Sequence, residues 1–329
     1  MRQTGDFLEK HLRGTDGRWR IFQVSAWGRP IGLMPFRERL ERRKWGTFRS
    51  LSLPQSDWGC CPGPVGPHSA TTLSAVIRHL TTHDQSWDLL ELPEVVADGK
   101  TTSRAPRVFE ASGLMAFQRS QRTLRGLELP AHWGQFWTDR DAAARQRWKE
   151  LDQLARGGVI QFVRFRPDGA TVGDTDRNWT MLRWLDQIAD LQPAGELADQ
   201  SRSVLKNLRE THATTVDSGC ADVAVLLMNS QPIAFAYNSR CHSRVETLQL
   251  ISDPKWSDSA DLLIGLMLRD ELERGDTWHT FLPGSVTPGA IDWSMWKADK
   301  LVETVVTHYR RSTMRMTLQR WCDGGTRVA

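Results

Sequence analysis

Three side chains in this sequence have types and settings that suit proton transfer: Tyr237, His242 and Asp253. Tyr237, one of two tyrosines, stands in a strand-like apolar run. His242 follows Cys241 in a polar stretch between Asn238 and Arg244, and Asp253 precedes Pro254 where another apolar run stops. A positioned phenol, imidazole or carboxylate can give or take a proton at a reacting atom. Each also has a plainer use. A tyrosine on an apolar strand packs half-buried, a loop histidine faces water, and Asp ahead of Pro forms turns. Shortly after Asp253 comes Trp256-Ser257-Asp258-Ser259-Ala260-Asp261, a polar stretch that opens onto the apolar-periodic segment Ala260 to Arg274. The first N–H groups of a helix are unpaired and carry partial positive charge, so they take up anions. Ser257, Ser259, Ala260 and Asp261 are therefore candidates for holding one. Asp258 and Asp261 would oppose an anion, or else cap the helix.

Other chemistries are poorly supplied. His79 and His83 stand four apart, a spacing that can bind zinc, but no Glu lies between them and no third ligand is evident; no metal is expected. The five cysteines, Cys60, Cys61, Cys220, Cys241 and Cys322, are an odd number without regular spacing, so they read as reduced thiols. Met1 to Gly17 lacks the apolar core of a signal peptide, and nowhere do about 18 apolar residues run together, so the expected compartment is the cytoplasm and no transmembrane segment is expected. A formal charge of +4 from 43 basic and 39 acidic side chains is too small an excess to imply a polyanion surface, and no DNA partner is expected. The fifteen tryptophans offer flat faces for a sugar, or core packing. Trp256 and Trp296 are the two expected near a cleft in the second half.

These residues need a scaffold, and its elements repeat. At 329 residues the chain has room for two domains. The first half predicts a strand at Trp19 to Val24, a turn at Trp27-Gly28-Arg29-Pro30, a strand from Ile31 to Phe36, a third from Phe48 to Leu53, a helix at Ala70 to His83 and a strand at Trp87 to Leu92. The second half gives the same order: strands at Val223 to Met228 and Ile233 to Tyr237 about the turn Asn229 to Pro232, then Arg244 to Ser252, the helix at Ala260 to Arg274, and Trp278 to Leu282. The turn prolines Pro30 and Pro232 lie 202 positions apart. Duplication predicts lobes at 1–140 and 141–329 with one strand order, each with a sheet of its own. The alternative is two unrelated α+β domains. Val95 to about Asp141, rich in Gly, Pro and Arg, reads as a connector, followed by helices at Asp141 to Arg156 and Met181 to Ala189 and a strand at Val159 to Arg166.

Hairpin, strand, helix, strand, with a loop opening onto the helix, resembles the Gcn5-related N-acetyltransferase (GNAT) fold, and two such lobes resemble the FemAB-type branch. Residues from about Arg145 to Lys297 are similar to the acetyltransferase domain named for the cellulose-biosynthesis protein CelD. The similarity is carried by Gly157-Gly158-Val159, Gln231-Pro232-Ile233-Ala234, Leu262 to Leu268, Phe281-Leu282-Pro283-Gly284 and Trp296-Lys297. Ile31-Gly32-Leu33-Met34-Pro35 and Trp87-Asp88-Leu89-Leu90-Glu91-Leu92 extend it to the first half. The resemblance implies a mixed α/β fold of two tandem GNAT-like lobes. It also implies transfer of an acyl group, usually from acetyl-CoA or another acyl-CoA, to an amine or hydroxyl of a small-molecule, glycan or envelope-precursor acceptor. In that reading Tyr237, His242 or Asp253 is the acid or base and backbone near Leu250 and Ile251 supplies the oxyanion donor. The donor phosphates would lie on the N–H groups of Ser259, Ala260 and Asp261, facing a cleft with Lys297 on its far wall, where Lys297, Trp256 and Trp296 would meet the acceptor. The polar loop departs from the family by lacking glycine and carrying two carboxylates. That leaves open a silent scaffold binding a glycan or partner, or a donor such as aminoacyl-tRNA.

Overall fold

The computed structural model describes residues 18–53, 64–84, 86–97, 104–166, 182–188, 219–241, 243–282, 290–310, 314–323 and 326–328, with Val286 and scattered positions between 206 and 217. Cys60, Cys61, His242 and Gly284 lie outside the described residues. The first half contributes β1 (Arg18–Ala26), β2 (Arg29–Arg43), β3 (Gly46–Ser52), helix α1 (Ser69–Thr82), β4 (Leu89–Ala97), α2 (Arg104–Ala111), β5 (Ala116–Glu128) and α3 (Trp133–Thr138). Then come α4 (Ala142–Arg156), β6 (Ile160–Phe165), β7 (Ala221–Met228), β8 (Gln231–Cys241), β9 (Arg244–Ser252), α5 (Ser259–Glu273), β10 (Trp278–Phe281), α6 (Trp293–Trp296), β11 (Asp299–Tyr309), α7 (Met314–Asp323) and β12 (Thr326–Val328).

The two halves share a strand order, and their hairpins match in detail. Trp27 and Gly28 both take positive φ, as do Asn229 and Ser230, 202 positions on. Such two-residue turns follow the right-handed twist of the strands they join. The ladder shifts register between Val24 and Ser25 in the first hairpin and between Leu226 and Leu227 in the second, the same 202 positions apart. Each bulge places a proline (Pro30, Pro232) opposite the shifted residue, where a ladder can do without an N–H donor. In both halves two antiparallel pairings are followed by a parallel one, β3 with β4 and β9 with β10. The fold is thus mixed α/β, with two lobes of one strand order.

The expectation of two separate sheets needs correcting. All the described strands belong to one sheet in the order β1-β2-β3-β4-β11-β5-β10-β9-β8-β7-β6, with β12 also against β5. The lobes are joined by a reciprocal exchange. β11, late in the chain, lies antiparallel to β4 of the first half, while β5 of the first half lies antiparallel to β10 of the second, and β11 and β5 pair with each other. The segment read as a connector therefore holds a central strand of 13 residues and two helices.

α5 is buried all round, from Ser259 to Leu268 without a break. One side packs on the α5-facing residues of β7 to β9 (Ala224, Leu226, Ala234, Ala236, Leu250), the other on α4 and an aromatic group of Phe136, Trp137, Trp148 and Trp296. The opposite face of the sheet is covered by Leu182, Leu185 and Ile188, and in the first half α1 lays Leu73, Val76, Ile77 and Leu80 over Met34, Phe36 and Leu51. Among the described residues no helix is long and apolar enough to cross a membrane.

Candidate functional site

β9 accompanies β10 only from Arg244 to Thr247, opposite Trp278 to Phe281. Beyond Thr247 it stays paired with β8 as far as Ser252 opposite Ala234, and its other edge has a single described bridge, from Leu250 to Val286. The two parallel strands therefore part at Thr247. The Asp253 N–H donates to the Ile233 carbonyl (2.9 Å). Antiparallel alternation turns the Ile251 N–H the same way, toward β8, so Leu250 and not Ile251 presents its backbone to the other edge, where Val286 meets it.

The point of parting is pinned by a buried chain of polar groups. The Thr247 hydroxyl donates to Asn238 Oδ1 (2.8 Å) and meets His279 Nε2 (2.8 Å), and His279 Nδ1 meets Glu271 Oε2 (2.8 Å). All four side chains are fully buried. Glu271 also accepts from Arg164 (2.7 Å), which makes a two-pronged pair with Asp222 (2.8 and 2.6 Å) and donates to the Met267 carbonyl (2.7 Å). Arg166 joins Asp222 (2.9 Å) to Asp276 (2.6 Å). Burial pushes the Asp222 carboxyl up, but Arg164 and Arg166 outweigh it and hold it at about 2. Glu271 is likewise held below its ordinary value, burial being outweighed by His279 and Arg164. Sequence reading missed this group. Its signal was Arg164 and Arg166 two apart on an otherwise apolar strand, which puts both on one face.

The start of α5 is occupied by the protein itself. Asp258 sits at the N-cap without a side-chain capping bond and pairs with Arg147 of α4. Asp261 is buried and accepts from Trp296 Nε1 (2.7 Å) and the Asp292 N–H (3.2 Å). Burial raises its carboxyl above the ordinary range against the pull of the Trp296 bond. The capping role expected of these carboxylates is therefore corrected: each has found a tertiary partner. The Ser259 N–H donates to the Trp256 carbonyl (2.9 Å), and Ser259, Ala260 and Asp261 are 3%, 0% and 6% exposed. A first turn so covered, with a carboxylate at its mouth, does not fit an open cradle for a donor pyrophosphate.

The other expected site residues scatter. Tyr237 is fully buried on the sheet face away from α5, its hydroxyl against His212 Nδ1 (2.8 Å) and Thr215 (3.2 Å), and burial raises it well above the usual phenol range. Burial also drops His212 to about 4. The Asp253 carboxylate accepts from the Lys255 N–H (3.0 Å) and its carbonyl from the Trp256 N–H (2.9 Å), which closes a turn. Trp256 is 44% exposed, and Ser257 is exposed with its hydroxyl toward Asp258 (3.4 Å). Trp296 is fully buried and has no face to offer an acceptor, which corrects its expected role. Lys297 ends α6 in the left-handed region (φ 47°) and its ammonium donates to the Asp139 carbonyl, so it buttresses α3 instead of facing a cleft. Cys220, Cys241 and Cys322 form no disulfide among the described residues.

A family model described as an acetyltransferase (GNAT) domain matches residues 138–288. No curated protein matches the chain in sequence. Solved structures share the whole arrangement. A conserved protein of unknown function from Bacteroides thetaiotaomicron aligns at TM-score 0.55 and 11% identity over 92% of this chain and 88% of its own. The C-terminal domain of a protein described as a lysylphosphatidylglycerol synthetase, from Agrobacterium fabrum, aligns at 0.54 and 10% over 97% and 96%. The L-PGS of Bacillus licheniformis aligns at 0.51 and 12% over 97% and 96%. Residues 138–288 thus match a GNAT-type acetyltransferase domain, set in a two-lobe fold that these solved structures share.

Proposed function

We propose that the protein transfers an acyl group to an amine or hydroxyl of a polysaccharide or cell-envelope precursor, in the cytoplasm, with the lobe from about residue 141 onward as the working one. The observation that supports this best is the gap that opens between β9 and β10 at Thr247 inside an acetyltransferase-type domain. An extended acyl carrier would enter along β9 between Thr247 and the bridge from Leu250 to Val286, as an added strand does. Its carbonyl would come beside the backbone where the strands part, short of the bridge from Leu250 to Val286, and an N–H there would stabilise the charge that attack builds on oxygen. The attacking group must lose a proton to a base. Of the candidates, Asp253 at the end of the gap is better placed than Tyr237, which lies behind the sheet; Trp256, partly exposed beside it, would contact the acceptor.

The donor we propose is an acyl-CoA bound without the usual hold on its pyrophosphate. The covered first turn of α5 favours a second reading, in which the donor is an aminoacyl-tRNA or the lobe binds a glycan or partner without catalysis. Incubation with labelled acetyl-CoA, and separately with charged tRNA, in the presence of amine-bearing envelope precursors tests both. Label moved from acetyl-CoA supports the first reading, and label moved from tRNA alone supports the second donor. No transfer and no calorimetric binding of either donor would overturn the enzymatic reading.

A further inference from the structure

α7 lies on the sheet of the first lobe and has two dissimilar faces. The inner face is fully committed. Met316 joins Phe48, Leu89 and Tyr309 in a small core, and Gln319 accepts from the Trp45 N–H (3.2 Å). Asp323 takes bonds from Arg43 (3.0 Å), Tyr309 (2.5 Å) and Gln319 (2.8 Å). The outer face carries Met314 and Trp321, 81% and 73% exposed. They stand seven residues apart and so share one side of the helix, roughly 10 Å from each other. Beside them Trp45, at the turn between β2 and β3, is 39% exposed, its ring 5.9 Å from the Lys44 ammonium and its Nε1–H on Cys322 Sγ (3.2 Å).

The charge here is mainly basic. Among the described side chains Arg310 precedes the helix, over the Trp87 ring, and Arg320 lies on it, over the Phe117 ring, while the acids Glu41 and Asp323 are both held by Arg43. Lys44 adds another cation at the rim. A short helix with an outward apolar ridge among cations is the pattern that settles into the headgroup layer of a bilayer, where indoles sit at the boundary and cations meet anionic lipid. A second copy is a poor occupant, since two such faces would bring like charges together. A nucleic acid would use the cations, but Met314 has nothing to offer a base edge or a phosphate, whereas acyl chains accept it.

We propose that the outer face of α7, with the Lys44–Trp45 turn, docks the protein on an anionic membrane surface. The docking is reversible and peripheral, and it stands apart from the acyl-transfer reading. Co-sedimentation of the full chain with vesicles of equal phosphatidylglycerol and phosphatidylcholine, and with phosphatidylcholine alone, tests it at physiological and at high salt. The protein should pellet with the anionic vesicles only and be released by salt. M314S/W321S should bind them about tenfold or more weakly and melt at the wild-type temperature, because both side chains are exposed. K44E, which leaves the apolar ridge intact, should also weaken binding. Equal binding of wild type and M314S/W321S, equal binding to neutral vesicles, or no binding to anionic vesicles would overturn the proposal. Binding to single-stranded RNA in place of vesicles would do so as well, and would give the surface to nucleic acid.

Discussion

Gly265 lies flat against the indole of Trp148: a Cβ placed on it would meet Cζ3 at 2.0 Å and Cη2 at 2.4 Å. The ring cannot move aside, because it stacks on Trp137 (5.6 Å between centroids, 12° between planes). Substituting Ala in a helix interior ordinarily gains about 1 kcal/mol over Gly. Here overpacking should outweigh that gain, and G265A should lose about 1–3 kcal/mol in urea denaturation. A variant as stable as wild type would mean that α4 and α5 can separate without cost.

Arg164 is the hub of the buried charges, and its removal takes a cation from two carboxylates at once. R164M should cost about 3–5 kcal/mol, since Asp222 would stay buried with Arg166 alone and Glu271 with His279 as its nearest partner. R164K should recover only part of this, because an ammonium cannot make the two-pronged bond to Asp222. Paired denaturation curves for the two variants check the order.

Acid should weaken the fold over two pH windows. His212 has its folded value lowered from 6.5 to about 4, so the unfolded chain takes up that proton first; the stability tied to its neutral form is complete above pH 6.5 and is lost as pH falls toward 4. Asp222, lowered from 3.8 to about 2, adds a loss between those values. Thermal midpoints followed downward from neutral pH should fall in both windows. H212Q should shrink the upper one, to which buried His308 also contributes, and leave the lower unchanged.

At the start of α5 the carboxylates are already answered by Arg147, Trp296 and Asp292. Affinity for acetyl-CoA should therefore be the same in D258N/D261N as in wild type. A rise of about tenfold on removing the two charges, measured by calorimetry, would put the pyrophosphate back at this turn.

The parts legible in the sequence were those decided locally. Both hairpins could be read because positive-φ turns, a following Pro and alternating apolar residues act within a few positions of one another. β5 could not, because Arg119 and Arg125 look like loop residues until their partners are known: Arg119 reaches Glu91 and Arg125 reaches the Ala298 carbonyl. The same holds for the site. That the strand at Asp253 should part from its neighbour follows from the order of elements. What Asp258, Asp261, Trp296 and Lys297 do was settled by α3, α4 and α6, segments 31 to 158 positions away along the chain.

The exchange of β5 and β11 has a consequence for how the protein is made. When residues up to β5 have left the ribosome, β4 has β3 on one side and nothing yet synthesised for the other; β11 arrives about two hundred positions later. The first lobe must therefore wait, with a strand edge open, for almost the whole chain to emerge, and contacts of such long sequence separation form late. A ribosome stalled anywhere before residue 299 would release a chain whose first half is an unfinished sheet. Growing cells should need a holding chaperone for this protein in proportion to its rate of synthesis.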